Sequence, residues 1–412
     1  MTRGNEAATA AERVARESYG RLVAYLASRT GSVAAAEDVL SAAFVAALSQ
    51  WPKDGVPEQP EGWLLEVARR RHADTCRHAA RSAKASADVR RIDEELRLAR
   101  VAPNALPDER LALMYACAHP ELPDNVHTAL MLQTILGLTA QEIAAAFRTS
   151  ASAIGQRLAR AKRRARELAV SIDLPSAAEL NARTPAVLAA VYAAYTTGWR
   201  ELGEPSNTGL ASEAIWLARL LARLAPEEPE AKGVLALMLY SHSRRGARID
   251  ANGEFVPLDQ QDPSLWERAM FYEAEASLGE ANRRGPTGRY QLEAALQSAQ
   301  MVRIDGRAPN RDAIAEIYRL LEAVAPSPVV SLNCIAARIG IAPPHQLIEE
   351  LQLLTVRGNF DDYQPYWVVR AHLAFAAGSV EDGHGALRIA MGLSTSPAIR
   401  KHLQSLPRRL RK

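Results

Sequence analysis

The stretch TAQEIAAAFRTSASAIGQRLARAKRRAR, Thr139 to Arg166, decides how this chain is read. Two helical patterns meet at a polar turn, Arg148-Thr149-Ser150, and the second ends in a run of arginines. Thr139 and Glu142 make T-x-x-E, a capping box that satisfies two orphan donors at a helix start. Ile143 and Phe147 then share a face, and Ser150 caps the next helix. In that helix Ile154, Leu158, Ala161, Ala165 and Leu168 recur at i, i+4, i+7, i+11 and i+14, a single core-facing stripe. The other face holds Ser152, Gln156, Arg157, Arg160, Arg163 and Arg164. A DNA helix-turn-helix needs this division. The first helix braces, while the second aims its N-terminal side chains at base edges and its later arginines at phosphates. Gln pairs bidentately with adenine and Arg with guanine, which marks Gln156 and Arg157 as base readers. Six of the eleven residues from Gln156 to Arg166 are basic and none is acidic, so no i,i+4 ion pair forms within that run. A merely solvated surface helix is a poorer account.

The rest of the chain sets the context. Its 412 residues allow two or three domains, and 48% hydrophobic with 24% charged residues is a soluble globular composition. With a net charge of only +3, nucleic-acid binding must come from local patches. Cys76, Cys117 and Cys334 lie far apart with no C-x-x-C pair, which suggests neither a disulfide framework nor a zinc ribbon. The N-terminus has no apolar leader, and no stretch is read as reaching the length of a membrane span, so the expectation is a cytoplasmic protein.

Alanine and leucine at three- and four-residue spacing make nearly everything helical, and four blocks emerge. Residues 8–80 form a first helical domain, interrupted by Gly31 and by PKDGVPEQP (52–60). Residues 81–108 are polar, carry Pro103 and Pro107, and read as a linker. Residues 109–170 end in the helix-turn-helix. Residues 186–412 are again helical, with one long irregular insert at 244–264. In this last block R-L-L-x-x-x-A-P occurs at Arg219–Pro226 and again at Arg319–Pro326, one hundred residues on. With HLAFAAGSVEDGHGALRIAMGLSTSP (372–397) this suggests degenerate tetratricopeptide-like hairpins, whose repeat is ~34 residues. An irregular helical bundle is the plainer alternative. The fold expected is all-α: two small helical domains, a linker between them, and a helical C-terminal domain.

A second basic helix lies in the first block. ARRRHADTCRHAARSAK (68–84) sets Arg69, Arg70, Arg71, Arg77, Arg81 and Lys84 against one acid, Asp74. Two basic helices joined by a linker imply two contacts on one duplex. Trp63, one turn earlier, reads more readily as core than as a stacking platform. His72, Cys76 and His78 invite a metal reading, but no fourth ligand is evident in a strongly cationic setting, and no metal or other cofactor is expected.

These two blocks resemble the extracytoplasmic-function group of sigma-70 family transcription initiation factors. AAAEDVLSAAFVAALSQWP with EGWLLEVARRRHADTCRHAAR is similar to the family's region 2, and LMLQTILGLTAQEIAAAFRTSASAIGQRLARAKRRAREL to its region 4. The remainder resembles the members with a helical, tetratricopeptide-like extension, through residues 226–262 and GRYQLEAAL (288–296). The resemblance implies that region 2 docks on the clamp helices of the largest subunit of RNA polymerase core through Asp38, Val39, Leu40 and Phe44. It implies −10 element capture by Trp63, Arg69, Arg70, Arg71, His72, Arg77 and His78. Region 4 would contact the polymerase flap and read the −35 element through Ser152, Ala153, Gln156, Arg157, Arg160, Arg163 and Arg164. Strand opening would be driven by binding, with no bond chemistry. Where the family has a Gln-Glu pair after the region 2 aspartate, this chain has Ser41 and Ala42, which puts the strength of core binding in question.

The extension is expected to regulate, through contact with region 2, region 4 or the polymerase. A one-component regulator with a C-terminal sensing domain is the rival reading, but it leaves the 68–84 helix without a task. An enzyme is a third, and no nucleophile elbow, phosphate-binding glycine loop or H-E-x-x-H supports it.

Overall fold

The computed structural model describes residues 3–79, 109–147, 149–168, 170, 176–200, 208–285, 287–358, 360–394 and 396–410. The sequence-predicted linker 81–108 falls outside them. Helix dominates, as the spacing requires, and among the described residues no strand forms beyond two isolated bridges. The chain divides into two compact units, Met1–Leu221 and Ala222–Lys412.

In the first unit α1 (Arg3–Thr30) ends at Gly31, whose φ of +66° suits glycine, and α2 (Val33–Asp54) starts at once. The Ser32 hydroxyl caps α2 by accepting from the Ala35 amide at 3.3 Å. Helix α3 (Pro60–Ala79) is tied to α1 because Ser18 and Arg21 both donate to Glu61, the latter at 2.8 Å. By length and composition α2 is apolar enough to cross a membrane, which corrects the expectation that no stretch reaches that length. Packing accounts for the apolarity: Ala34, Ala36, Val39, Leu40, Ala43, Ala47 and Trp51 are buried.

Helix α4 (Arg110–Cys117) is buried from Leu111 to Cys117, and α5 (Asp124–Leu136) closes on Gly137 at φ +67°. Helices α6 (Ala140–Phe147) and α7 (Ala151–Glu167) follow. The same unit takes in α8 (Ala177–Arg200), which packs on α5 and α4, and most of α9 (Thr208–Leu224). Tyr115 of α4 and Thr184 of α8 share a buried hydroxyl hydrogen bond of 3.0 Å, and Arg183 donates to the Tyr115 carbonyl at 3.3 Å. Arg110 pairs with Glu213 and lies 4.6 Å over the Trp216 ring, joining α4 to α9.

The second unit is built on α10 (Pro229–Ser243), buried on all sides from Ala231 to Tyr240. Helices α11 (Arg268–Asn282) and α12 (Arg289–Met301) pack against it. Glu230 accepts the amides of Tyr290 and Gln291 at 2.8 and 2.9 Å, at the N-terminus of α12. A Cβ on Gly288 would fall 2.4 Å from the Glu230 carboxyl carbon, and one on Gly233 2.8 Å from the Gln291 nitrogen. Both glycines are therefore fixed by close approach. The chain continues through α13 (Arg311–Val324), α14 (Pro328–Ala337), α15 (Pro344–Arg357), α16 (Gln364–Ala376), α17 (Val380–Leu393) and α18 (Pro397–Leu410). Each R-L-L-x-x-x-A-P copy closes a helix, α9 or α13, and the next begins at a proline, Pro229 or Pro328.

The insert 244–264 is a pinned turn. Asp250 Oδ1 accepts from Asn252 and Glu254, Gly253 takes φ +76°, and Arg303 holds the carbonyls of Leu258 and Gln261.

Candidate nucleic-acid interface

Both helices of the helix-turn-helix start with the expected caps. The Thr139 amide donates to Glu142 Oε2 at 2.7 Å while the Glu142 amide donates to Thr139 Oγ1 at 3.2 Å, a reciprocal capping box. The Ala153 amide donates to the Ser150 hydroxyl at 3.2 Å. Ile154, Leu158 and Ala161 are buried, whereas Ala165 and Leu168 further along the stripe are only half-buried. Ile143 is buried, but Phe147, on the same helix, is exposed.

The outer face of α7 is open. Ser152, Gln156, Arg160, Arg163 and Arg164 are exposed, and Ala153 and Arg157 are half-buried. Arg164 reaches Glu121 at 3.4 Å and Glu167 at 3.7 Å, both in water-exposed geometry where such pairs are weak. Arg157, Arg160, Arg163 and Arg166 make no ion pair among the described residues. Lys162 differs: its Nζ lies 2.8 and 2.7 Å from the two carboxylate oxygens of Glu37 on α2. It belongs to the back of the helix.

Helix α3 presents its charge in another way. Glu66 accepts from Arg69 at 2.9 Å and from Arg70 at 2.8 Å. Partial burial works to raise the Glu66 pKa, but the two guanidiniums outweigh it and hold the carboxyl below its ordinary value. Arg71 is exposed. His72 is half-buried, and burial lowers its pKa, which disfavours its charged form. Arg77 and His78 lie on the last turns of α3, and their side chains fall outside the described residues, as does that of Cys76. Among the described residues no three His, Cys, Asp or Glu side chains gather as a metal site. Trp63 is half-buried edge-on against Trp51, with ring centroids 5.5 Å apart.

On α2, Asp38 is exposed and Phe44 half-buried, whereas Val39 and Leu40 are buried at 8% and 0% exposure. The large apolar side chains that α2 turns outward are Val45 and Leu48, 63% and 51% exposed, beside Ser41 and Ala42. Sequence reasoning passed over both. The available signal was their three-residue spacing, on a face that the buried positions of α2 leave free.

In the second unit a groove of about 810 Å³ runs between α15, α16 and α17, lined by Leu351, Phe360, Tyr366, Trp367, Arg370 and Asp382 among others. Arg370 lies 5.3 Å over the Trp367 ring.

Comparisons with known proteins fall on the same segments. Residues 15–82 match the family model of sigma-70 region 2, and residues 112–164 that of sigma-70 region 4. Residues 183–282, from within α8 to the end of α11, match a family of unknown function (DUF6596). An uncharacterized protein of Rhizobium meliloti (strain 1021) is 33% identical over 367 residues, covering 88% of this chain and 86% of its own. No solved structure matches the chain.

Proposed function

Since the chain belongs to the sigma-70 family, with regions 2 and 4 in order and a role in promoter recognition, we propose that it is a factor of the extracytoplasmic-function group whose helical extension modulates its activity. The observation that carries this reading is α7. It is a capped, braced helix with Gln156, Arg160 and Arg163 exposed and without acidic partners, which is how a −35 reader meets a duplex. Ser152 and Gln156 face base edges, with Arg157 beside them, while Arg160, Arg163 and Arg164 hold phosphates.

Region 2 binds core through α2. Asp38 and Phe44 contribute from the sequence reading, and exposed Val45 and Leu48 supply the apolar contact that the buried Val39 and Leu40 do not. An anchor of two exposed aliphatic side chains makes up for Ser41 and Ala42, where charged or amide groups are usual. Helix α3 then engages the −10 element with Arg70 and Arg71, and the non-template strand is captured once a base unstacks, at a few kcal/mol per step. No side chain in this scheme makes or breaks a bond.

The extension acts from inside the promoter-binding unit. Helix α8 rests on α4 and α5, α9 is joined to α4 through Arg110, and α5 itself packs on both helices of the helix-turn-helix. The tetratricopeptide-like hairpins beyond them offer the α15–α17 groove to a protein partner.

Core binding tests the reading. Purified core polymerase should retain the full chain, and Val45→Asp with Leu48→Asp should weaken retention at least tenfold while leaving the helical signal unchanged. Retention without any need for α2 would assign core binding to some other surface. No retention at all would remove the sigma reading.

A further inference from the structure

The groove of the second unit has a floor that belongs to the core and a wall that does not. Leu351, Phe360, Tyr366 and Leu373 line it, yet each is 5% exposed or less and all pack in one apolar cluster. Phe360 stacks on Tyr366 with ring centroids 5.3 Å apart, and Trp367 stands edge-on to Tyr366 at 5.4 Å. The Trp367 indole Nε1 donates to the Asp361 carbonyl at 3.0 Å, which fixes the ring that Arg370 lies over. The α15 wall is wet: Gln352, Thr355 and Val356 are exposed, Val356 at 84%. A groove open on one side suits a length of polypeptide better than a small molecule, whose pockets enclose most of its surface.

Asp361, Arg370 and Asp382 are the charged residues among the described lining, and both acids are already engaged. Asp382 accepts from the Ser379 hydroxyl at 2.5 Å and lies in the first turn of α17, where the helix dipole favours a carboxylate. Asp361 has a partner within the chain. Arg370 differs. It is exposed, and it makes no ion pair among the described residues. A guanidinium that rests on a ring still offers its N–H edge to a bidentate acceptor. The groove therefore sets one uncompensated, oriented cation beside an aromatic and aliphatic floor. Its complement is a carboxylate carried next to a large apolar side chain.

Building on the reading that this groove receives a protein partner, we propose that its occupant is an acidic–aliphatic peptide segment. One Glu or Asp of the segment is held by Arg370, and a neighbouring Leu, Ile, Val or Phe lies on the floor made by Phe360, Tyr366 and Trp367. Val356 covers the apolar side of the segment from water. Trp367 orients the guanidinium in advance, so less freedom is lost when the carboxylate arrives. A basic segment is refused twice, because it gains no partner for its charge and meets Arg370 with a like one. Since Arg370 stands at the open rim, the contact weakens as salt rises.

Random dodecapeptides displayed on phage and selected on the full chain test this. Two variants accompany the wild type: Ala377→Trp, which fills the groove from an exposed lining position, and Arg370→Glu, which reverses its charge. Unchanged helical ellipticity and melting show that each is folded. Peptides recovered on the wild type should carry Asp or Glu beside a large apolar residue, and Ala377→Trp should capture them about tenfold less well or worse. Selection on Arg370→Glu should return Lys or Arg in place of the acid. A synthetic peptide from the first selection, followed by fluorescence anisotropy, should bind Arg370→Glu about tenfold more weakly. The same peptide with its acid replaced by Lys should regain that affinity on Arg370→Glu, a reversal that a merely structural arginine would not produce. Groove-dependent peptides that are basic, or that show no bias toward acids, overturn the acidic–aliphatic assignment and leave the groove as a docking site. Failure to recover any peptide that Ala377→Trp rejects overturns the assignment together with the groove as a docking site. Neither result bears on core binding, which the α2 variants test separately.

Discussion

Two basic helices in one unit handle their charge in opposite ways. Helix α3 sets Glu66 beneath Arg69 and Arg70 and pairs with both, while α7 leaves Arg157, Arg160, Arg163 and Arg166 without ion pairs among the described residues. A count of cations in sequence treats the helices as equals, since the acid that neutralises α3 lies just before the counted window. Position relative to a carboxylate, more than the number of arginines, sets how much field a helix offers a phosphate. Helix α7 therefore suits duplex binding with counterion release. Helix α3, partly neutralised and carrying a His72 whose charged form burial disfavours, suits contact after the duplex has already been engaged.

The largest effect comes from removing what supports α7. A chain ending at Val170 loses α8, with Val187, Leu188, Val191 and Tyr195 all buried. At about 2 kcal/mol for each large side chain, this forfeits ~8 kcal/mol, comparable with the whole stability of a domain. Such a chain should melt without a cooperative transition and fail to bind DNA. A chain ending at Ala225 should keep both properties, and thermal unfolding followed by circular dichroism distinguishes the two.

Gln156→Ala comes next. It should lose about 1–3 kcal/mol of −35 duplex affinity and relax preference at one base pair, read by competition with single-base variants of the site. Arg160→Ala with Arg163→Ala should weaken binding uniformly across sequences, and the slope of log K against log salt should become shallower by about two. The matching pair on α3, Arg69→Ala with Arg70→Ala, should change that slope by less than one. Equal slopes would break the comparison. Ser150→Ala removes a cap and should cost about 1 kcal/mol of stability.

The smallest effect belongs to Glu66. Its carboxyl is held below the ordinary value, so its stabilising contribution is present above that value and is lost as pH falls through the lower folded one. Acid titration of the wild type and Glu66→Gln should therefore diverge at neutral pH and converge well below pH ~4. The variant should also steepen the salt dependence of single-strand binding by up to about one.

What could be read in the sequence was local. Thr139 with Glu142 and Ser150 with Ala153 are three residues apart, and their hydrogen bonds form where the pattern places them. The stripe from Ile154 to Ala161 follows from helical periodicity in the same way. Contacts spanning many residues had no local signal. Lys162 counts as one more DNA-facing cation in sequence, yet its partner Glu37 lies 125 positions away. Tyr115 and Thr184 are 69 apart, and their bond puts the first helices of the extension in the promoter-binding unit. The segments that resembled a known extension, PEEPEAKG and GRYQLEAAL, prove to be two halves of one clamp, with Glu230 capping α12 and Gly233 and Gly288 allowing the approach. Helix α2 is apolar enough to look membrane-spanning because one face fills the core and the other shows Val45 and Leu48.

Promoter-directed transcription in vitro, with purified core polymerase and the gene's own upstream region as template, tests the central claim most directly. The account predicts that the full chain directs initiation from a defined start, and that Gln156→Ala and Val45→Asp each reduce it through a different step, promoter affinity and core retention. Absence of any initiation, from a chain that still retards duplex DNA through α7, would contradict it.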